Sequence, residues 1–288
     1  MTERKSPDGR GRDKSAGKAK KAPARRAPRR AAEASIWLYG AHAVLAALAN
    51  PRRRCRRLVL GPEAAGRHGS RVHALLAERA ARDPAQALPL ETLAREGIAR
   101  ILPEGAIHQG LALRAAPLSQ PALGEILATA QASHPAEGRA VVVVLDQVTD
   151  PQNVGAVLRS AAAFGARALL ATRAHAPPES GSLAKAASGA LEHVPYLQVG
   201  NLARALEALK SGGFWCLGLS GEADRTLAQS DPGGPVALVL GAEGTGLRRL
   251  TREACDIVAR LPTQAPIDAL NVSAAAAVAL YELLGRGR

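Results

Sequence analysis

The chain has 288 residues, a length that suits about two domains at the usual ~100–200 residues each. Apolar residues make up 47%, enough for a folded core, and 38 Lys/Arg against 25 Asp/Glu leave a net charge of +13. Three scattered cysteines (Cys55, Cys216, Cys255) with no CxxC argue against a disulfide framework or a cysteine-held zinc and fit a reducing cytoplasm, while 2% aromatics argue against single-strand binding on stacked rings.

Residues 1–34 hold 12 Lys/Arg and four acids, a net +8, and the remaining residues carry +5. This segment is rich in Lys, Arg, Ala and Pro and has almost no large apolar side chain. It cannot bury enough surface to offset ordering entropy, so a disordered basic tail is expected. Either it is a phosphate-binding arm or a solvated tail that only aids solubility. It lacks the apolar run of a secretory signal. The apolar stretch VVVVL at 141–145 is too short to span a membrane.

Residues 35–115 read as a small α/β unit. A short strand and a turn at Gly40 precede a helix over AHAVLAALA, which stops at Asn50–Pro51. RRLVLG at 56–61 reads as a strand, VHALLAERAA as a helix, LPLETLAREG as a further short element and GLALRA at 110–115 as a closing strand. Residues 116–138, rich in Pro, Gly, Ser and Ala around the helical stretch EILATA, read as a linker plus a first helix of the next domain. Residues 139–288 alternate strands and helices more regularly: strands at VVVVLD, ARALLA, FWCLGLS, VALVLG and DIVARLP, helices over 154–164, near 182–190, 201–211, near 247–254 and 271–284. That alternation predicts a mostly parallel sheet, whose ligands bind beyond the carboxyl ends of its strands.

Three segments at those ends could carry chemistry. In LDQVTDPQNVGAVLRS, Asp150, Pro151 and Asn153 are turn and cap residues, Gly155 leaves room for a close neighbour, and Arg159 follows about two turns along. Alone, Asn153 could be a plain cap and Arg159 a solvated arginine. In LVLGAEGTGLRRL, three glycines follow a strand. The order is neither GxGxxG nor a P-loop, and Glu243 among the glycines would repel a pyrophosphate. A ligand without phosphates, or one needing an acceptor, fits better; a tight strand–helix connection is the structural alternative. In RLPTQAPIDALNVSAAAA, a strand ends at Leu261–Pro262 and a helix is opened by Asn271 or Ser273, either of which could be an ordinary N-cap. The seven histidines show no metal-ligand spacing, and there is no G-x-S-x-G elbow.

Together these segments resemble motifs one to three of the SpoU/TrmH class of SPOUT RNA methyltransferases: Asn153-Val-Gly-Ala-x-x-Arg159, Leu240-Gly-Ala-Glu-Gly-x-Gly246 and Leu261-Pro … Leu270-Asn-Val-Ser273. Leu38-Tyr-Gly-Ala-His-Ala-Val-Leu and His108-Gln-Gly resemble the RNA-binding domain that precedes the catalytic domain in this class. Lys185-Ala-Ala-Ser-Gly-Ala-Leu-Glu-His193 resembles a segment of its RlmB-like subgroup. The resemblance implies a trefoil-knotted α/β domain with a mostly parallel sheet behind a small α/β RNA-binding domain. It implies methyl transfer from S-adenosylmethionine to a ribose 2′-hydroxyl, a guanosine of 23S rRNA being the expected substrate, in a cytoplasmic homodimer paired through the catalytic domain. The donor is then expected against backbone at Gly241, Leu261 and Leu270. Arg159 is then expected to clamp a phosphate and so orient the ribose, Asn153 to position Arg159 or substrate, Glu243 to hold Arg159 or a substrate group, and Asn271 to fix the third-motif loop and substrate. Ala269 stands where many members carry Ser, so any task of that hydroxyl is absent here or taken by Ser273. A tRNA target, or a non-catalytic RNA-binding factor on the same scaffold, are the rival expectations; the absence of GxGxxG speaks against a dehydrogenase.

Overall fold

The structure is a computed structural model that describes residues 34–132, 139–264 and 270–285. The expected basic tail up to Glu33, and Ala269, lie outside the described residues.

The first part holds β1 (Ile36–Tyr39), α1 (Ala41–Ala49), β2 (Cys55–Leu60), α2 (Pro62–Arg82), β3 (Leu90–Thr92), α3 (Arg95–Ile101) and β4 (Leu111–Ala115). Its sheet order is β1-β4-β2-β3, with β4 antiparallel to both neighbours and β2 parallel to β3. Helix α1 is bracketed as its sequence predicts: Gly40 turns the chain at φ 87, and Asn50 ends it. Helix α2 begins ten residues before the apolar run that announces it. Pro62 sits in its first turn, where a missing N–H costs nothing, and Ala64, Gly69, Val72 and Leu75 line one buried face.

The second part continues through α4 (Leu123–Ala132), β5 (Val141–Asp146), α5 (Pro151–Phe164), β6 (Ala168–Thr172), α6 (Gly181–Ala187), β7 (Tyr196–Val199), α7 (Leu202–Ser211), β8 (Trp215–Leu219), α8 (Leu227–Ser230), β9 (Val236–Gly241), α9 (Arg249–Glu253), β10 (Ile257–Ala259) and α10 (Val272–Leu280), which closes in a π-turn over Tyr281–Gly285. The sheet order is β10-β8-β9-β5-β6-β7 and every pairing among these strands is parallel. Strand β5 is buried along its whole length, which is why it reads as an unbroken apolar run. Sequence patterning passes over β7: YLQV is four residues long, follows Pro195 and buries only its first two side chains.

The two sheets share one core and meet along α6. A Cβ on Gly181 would stand 2.3 Å from the Trp37 carbonyl oxygen, so only glycine lets α6 approach β1 this closely. Beside it, Arg53 is fully buried. Its guanidinium donates to Glu179, to Glu192 (Nε to Oε1, 3.1 Å) and to the Ala116 carbonyl at 3.0 Å. Asn50 donates to the second Glu192 oxygen at 2.7 Å. Arg79 fixes the backbone behind it through the carbonyls of Leu48, Asn50 and Arg53. Removing Arg53 leaves the buried Glu192 and the half-buried Glu179 uncompensated. Arg53→Met therefore lowers unfolding free energy by about 3–5 kcal/mol, read by equilibrium denaturation; a loss below about 1 kcal/mol would mean that the glutamates find other partners.

Candidate active site

The segments that converge here all leave the carboxyl ends of β5 and β9 or open α10. After β5, Gln147 adopts a left-handed φ of 60, and Asp150 caps α5 by accepting the Gln152 N–H at 3.0 Å. Pro151 starts the helix, so α5 begins three residues earlier than its apolar pattern suggests. Asn153 is thus inside the first turn and not the cap. Gly155 packs on α6, where a Cβ would lie 2.4 Å from that of Ala186.

The glycine segment leaving β9 folds back on itself. Gly246 N–H donates to the Ala242 carbonyl at 2.9 Å, and a Cβ on Gly241 would stand 2.1 Å from the Gly246 carbonyl carbon. Gly244 and Gly246 have φ of 77 and 63. Arg248 closes this loop onto the end of β5: its backbone N–H reaches Asp146 at 3.1 Å and its Nε at 2.8 Å. Asp146 is fully buried. The sequence carried a usable signal for this pair, because a carboxylate at the end of a buried apolar strand demands a partner.

Glu243 gathers the three segments. Its Oε1 accepts from Asn153 Nδ2 at 3.0 Å, from Asn271 Nδ2 and from the Val272 N–H at 3.4 Å. Asn271 Nδ2 also reaches Asn153 Oδ1 at 3.0 Å. Asn271 Oδ1 meanwhile accepts the Ser273 N–H at 2.9 Å and its hydroxyl at 2.5 Å, so Asn271 is both the cap of α10 and part of the cluster. Arg159 stands apart. It is exposed and has no partner among the described residues. The optional pairing of Arg159 with Glu243 is not formed; the Glu243 oxygen Oε1 instead takes two amides and a backbone N–H.

Next to Glu243 opens a cavity of about 310 Å³. Gly241, Leu261 and Leu270, the three residues expected against the donor, all line it, with Glu243, Leu219 and Val272. Ser220, Gly221 and Glu222 after β8 also border it, a contribution sequence patterning does not reveal. Arg252 ties Glu222 at 2.9 Å. Glycine backbone, aliphatic walls and the Glu243 carboxylate, with Glu222 neutralised by Arg252, make a site suited to a ligand that seeks backbone groups and an acceptor.

Fold and cavity together define a parallel α/β protein that binds its ligand at the carboxyl rim of the sheet. The chain belongs to the SpoU rRNA methylase family: residues 140–281 match that family, and residues 37–121 match the RNA 2′-O ribose methyltransferase substrate-binding family. It is 42% identical to the 23S rRNA (guanosine-2′-O-)-methyltransferase RlmB of Pseudomonas aeruginosa, over 87% of this chain and 97% of that one. It is 40% identical to the protein of the same name from Yersinia pestis, over 86% and 96%. Its fold is shared with the AdoMet-bound rRNA methyltransferase of Sinorhizobium meliloti (TM-score 0.68, 21% identity, 88% of each chain). It is shared equally with AviRb of Streptomyces viridochromogenes in complex with AdoMet (TM-score 0.68, 20% identity, 88% of this chain and 90% of that one).

The Asp146–Arg248 pair anchors the far end of the loop that walls the cavity. Asp146→Asn keeps the shape but removes the charge. It costs about 1–3 kcal/mol of stability and speeds amide exchange over 242–248, read by hydrogen-exchange mass spectrometry; wild-type protection in that stretch would show that the loop holds its shape unaided.

Proposed function

We propose that this chain transfers a methyl group from S-adenosylmethionine to a ribose 2′-hydroxyl of RNA, and that the substrate is a guanosine of 23S rRNA. The observation that carries this is the cavity: the residues expected to face the donor, Gly241, Leu261 and Leu270, converge there beside Glu243. The names of the relatives, matched over almost their whole length, support the RNA, the base and the 2′-hydroxyl. The knotted chain path of this class belongs to the same reading.

The bound donor supplies an electrophilic methyl on a sulfonium. The protein's part is to hold and orient. Backbone groups at Gly241, Leu261 and Leu270 grip the donor without bulk. Glu243, Asn153 and Asn271 keep the glycine loop, α5 and α10 in one fixed relation. Arg159 carries a permanent charge, so it does not serve as a free base; it clamps a phosphate of the target nucleotide and turns the ribose toward the cavity. Alignment of this kind supplies much of the rate in a bimolecular displacement.

Residues 35–115 serve as the RNA-binding domain, 116–138 as the linker and 139–288 as the catalytic domain, with the basic tail over 1–34 as a phosphate-seeking arm. The protein acts in the cytoplasm; no helix among the described residues is long and apolar enough to cross a membrane. It pairs as a homodimer through the catalytic domain. Val278 and Tyr281, 46% and 54% exposed, offer an apolar face on the element that packs against α5, where Tyr281 meets Phe164 edge-on at 6.1 Å.

Incubation with labelled donor places the label on a guanosine ribose in purified 23S rRNA; label confined to tRNA overturns the substrate, and label in neither overturns the activity. Arg159→Ala lowers methyl transfer about 100-fold or more while calorimetry finds donor affinity within about twofold. Gly241→Ala does the reverse first, weakening the donor more than about tenfold, because its Cβ has only backbone to displace. Equal donor binding by Gly241→Ala and wild type would move the donor out of this cavity.

A further inference from the structure

The loop ahead of β4 carries groups that neither the donor cavity nor the Glu243 cluster uses. His108 is only 7% exposed. Its Nδ1 accepts the Gly110 N–H at 3.1 Å, so the neutral ring carries its proton on Nε2. Nε2 has no partner among the described residues. Burial lowers the pKa of this ring, and the two charged groups that act on it, Arg95 and Lys185, lower it further. No carboxylate acts on it. Arg95 is exposed and has no ion pair among the described residues. Lys185 of α6 spends one N–H on the Ile107 carbonyl at 2.5 Å and has no other partner among the described residues. Lys185 therefore stands against the loop that carries His108, and Arg95 is close enough to act on the same ring. Beside them Ile107 is 68% exposed, a large aliphatic side chain that the fold leaves in water.

We propose that His108, Arg95 and Lys185 seat an RNA phosphate at the seam between the first sheet and α6, with Ile107 as the apolar contact for the neighbouring nucleotide. The proposal rests on the RNA-directed reading above and deepens it by naming where the substrate strand is held away from the reacting ribose. The complement of an unbalanced cationic nest is a polyanion, and phosphate contacts of this kind set a strand's register without reading its bases. The place suits that task. Lys185 precedes Ala186, which touches Gly155 of α5, two residues from Asn153. The seat is also preformed: Gln109 Oε1 accepts the Ala41 N–H at 3.2 Å, and Lys185 already stands against the Ile107 carbonyl.

The test uses the full chain and a 23S rRNA fragment, with binding followed across a salt series. The double variant Arg95→Gln/Lys185→Gln binds RNA about tenfold more weakly or worse, and its log–log salt slope falls by about 1. Donor affinity and thermal midpoint stay at wild-type values. Wild-type affinity and slope in the double variant overturn the proposal. A lowered thermal midpoint with an unchanged slope also overturns it, since the pair is then structural. Inorganic phosphate at constant ionic strength shifts the His108 ring resonances of the wild type and not of the double variant. A shift without any change in RNA binding assigns the seat to free phosphate and overturns the RNA source. Binding and methyl transfer are separate readouts: a wild type that binds RNA through this seat but labels none sinks the enzymatic reading and leaves the seat standing.

Discussion

One carboxylate oxygen organises the site. Glu243 Oε1 is shared by Asn153, Asn271 and the Val272 N–H, donors from two segments more than a hundred positions apart in the chain. A carboxylate can accept several bonds at once and cannot donate. It therefore suits a place where two side-chain amides and a helix start must be held together. Both asparagines turn their Nδ2 toward it, and Asn271 still has an oxygen left to cap α10. With the acid in place, the glycine loop, the start of α5 and the start of α10 have one geometry. Without it, two amide donors would face each other with a single acceptor between them.

The same geometry explains the composition of the loop. A chain that must turn back at Gly246 against its own start at Gly241 leaves no room for a Cβ, and two of its positions need φ above zero. Small residues make the wall out of backbone, whose N–H and C=O groups are then available to a ligand. That freedom has an entropic cost, which is offset by pinning both ends. Strand β9 holds the first end in a parallel ladder, and the buried Asp146 holds the second through Arg248.

How much of this was legible depends on the range of the interaction. Helix α1 and strand β5 could be read because their signals are local: a glycine and an Asn-Pro pair around one, an unbroken apolar run in the other. The start of α2 could not, since PEAAGRHGSR has two glycines and becomes helical only by burying a face of small residues against α1 and the first sheet. The three motif segments could be placed at the rim of the sheet, and the residues expected against the donor do line one cavity. Which side chain meets which was beyond reach. Glu243 was expected to hold Arg159 or a substrate group, and only the packed fold shows it holding the two asparagines. The Arg53 network was hidden for the same reason, because Glu179 and Glu192 lie more than a hundred positions away.

That network bears on how a distant RNA contact could matter at all. Reacting atoms must be aligned to within a fraction of an ångström, so a phosphate held on the first sheet is useful only if the material between it and Asn153 does not give. Apolar burial alone is non-directional and would let the two sheets slide. Here the contact is made of features with one solution: a guanidinium forked between the buried Glu192 and the half-buried Glu179, and two glycines, Gly155 and Gly181, each filled by a neighbour's backbone or methyl group. Buried ion pairs stabilise little compared with apolar packing, yet they specify orientation where they are fully satisfied. Arg53 is such a case, with carboxylates on one side and its own carbonyl held by Arg79 on the other. The proposed phosphate seat and the cavity beside Glu243 are then joined through α6 and the Arg53 network, and this is the path by which a held phosphate would set the register of a strand at the site.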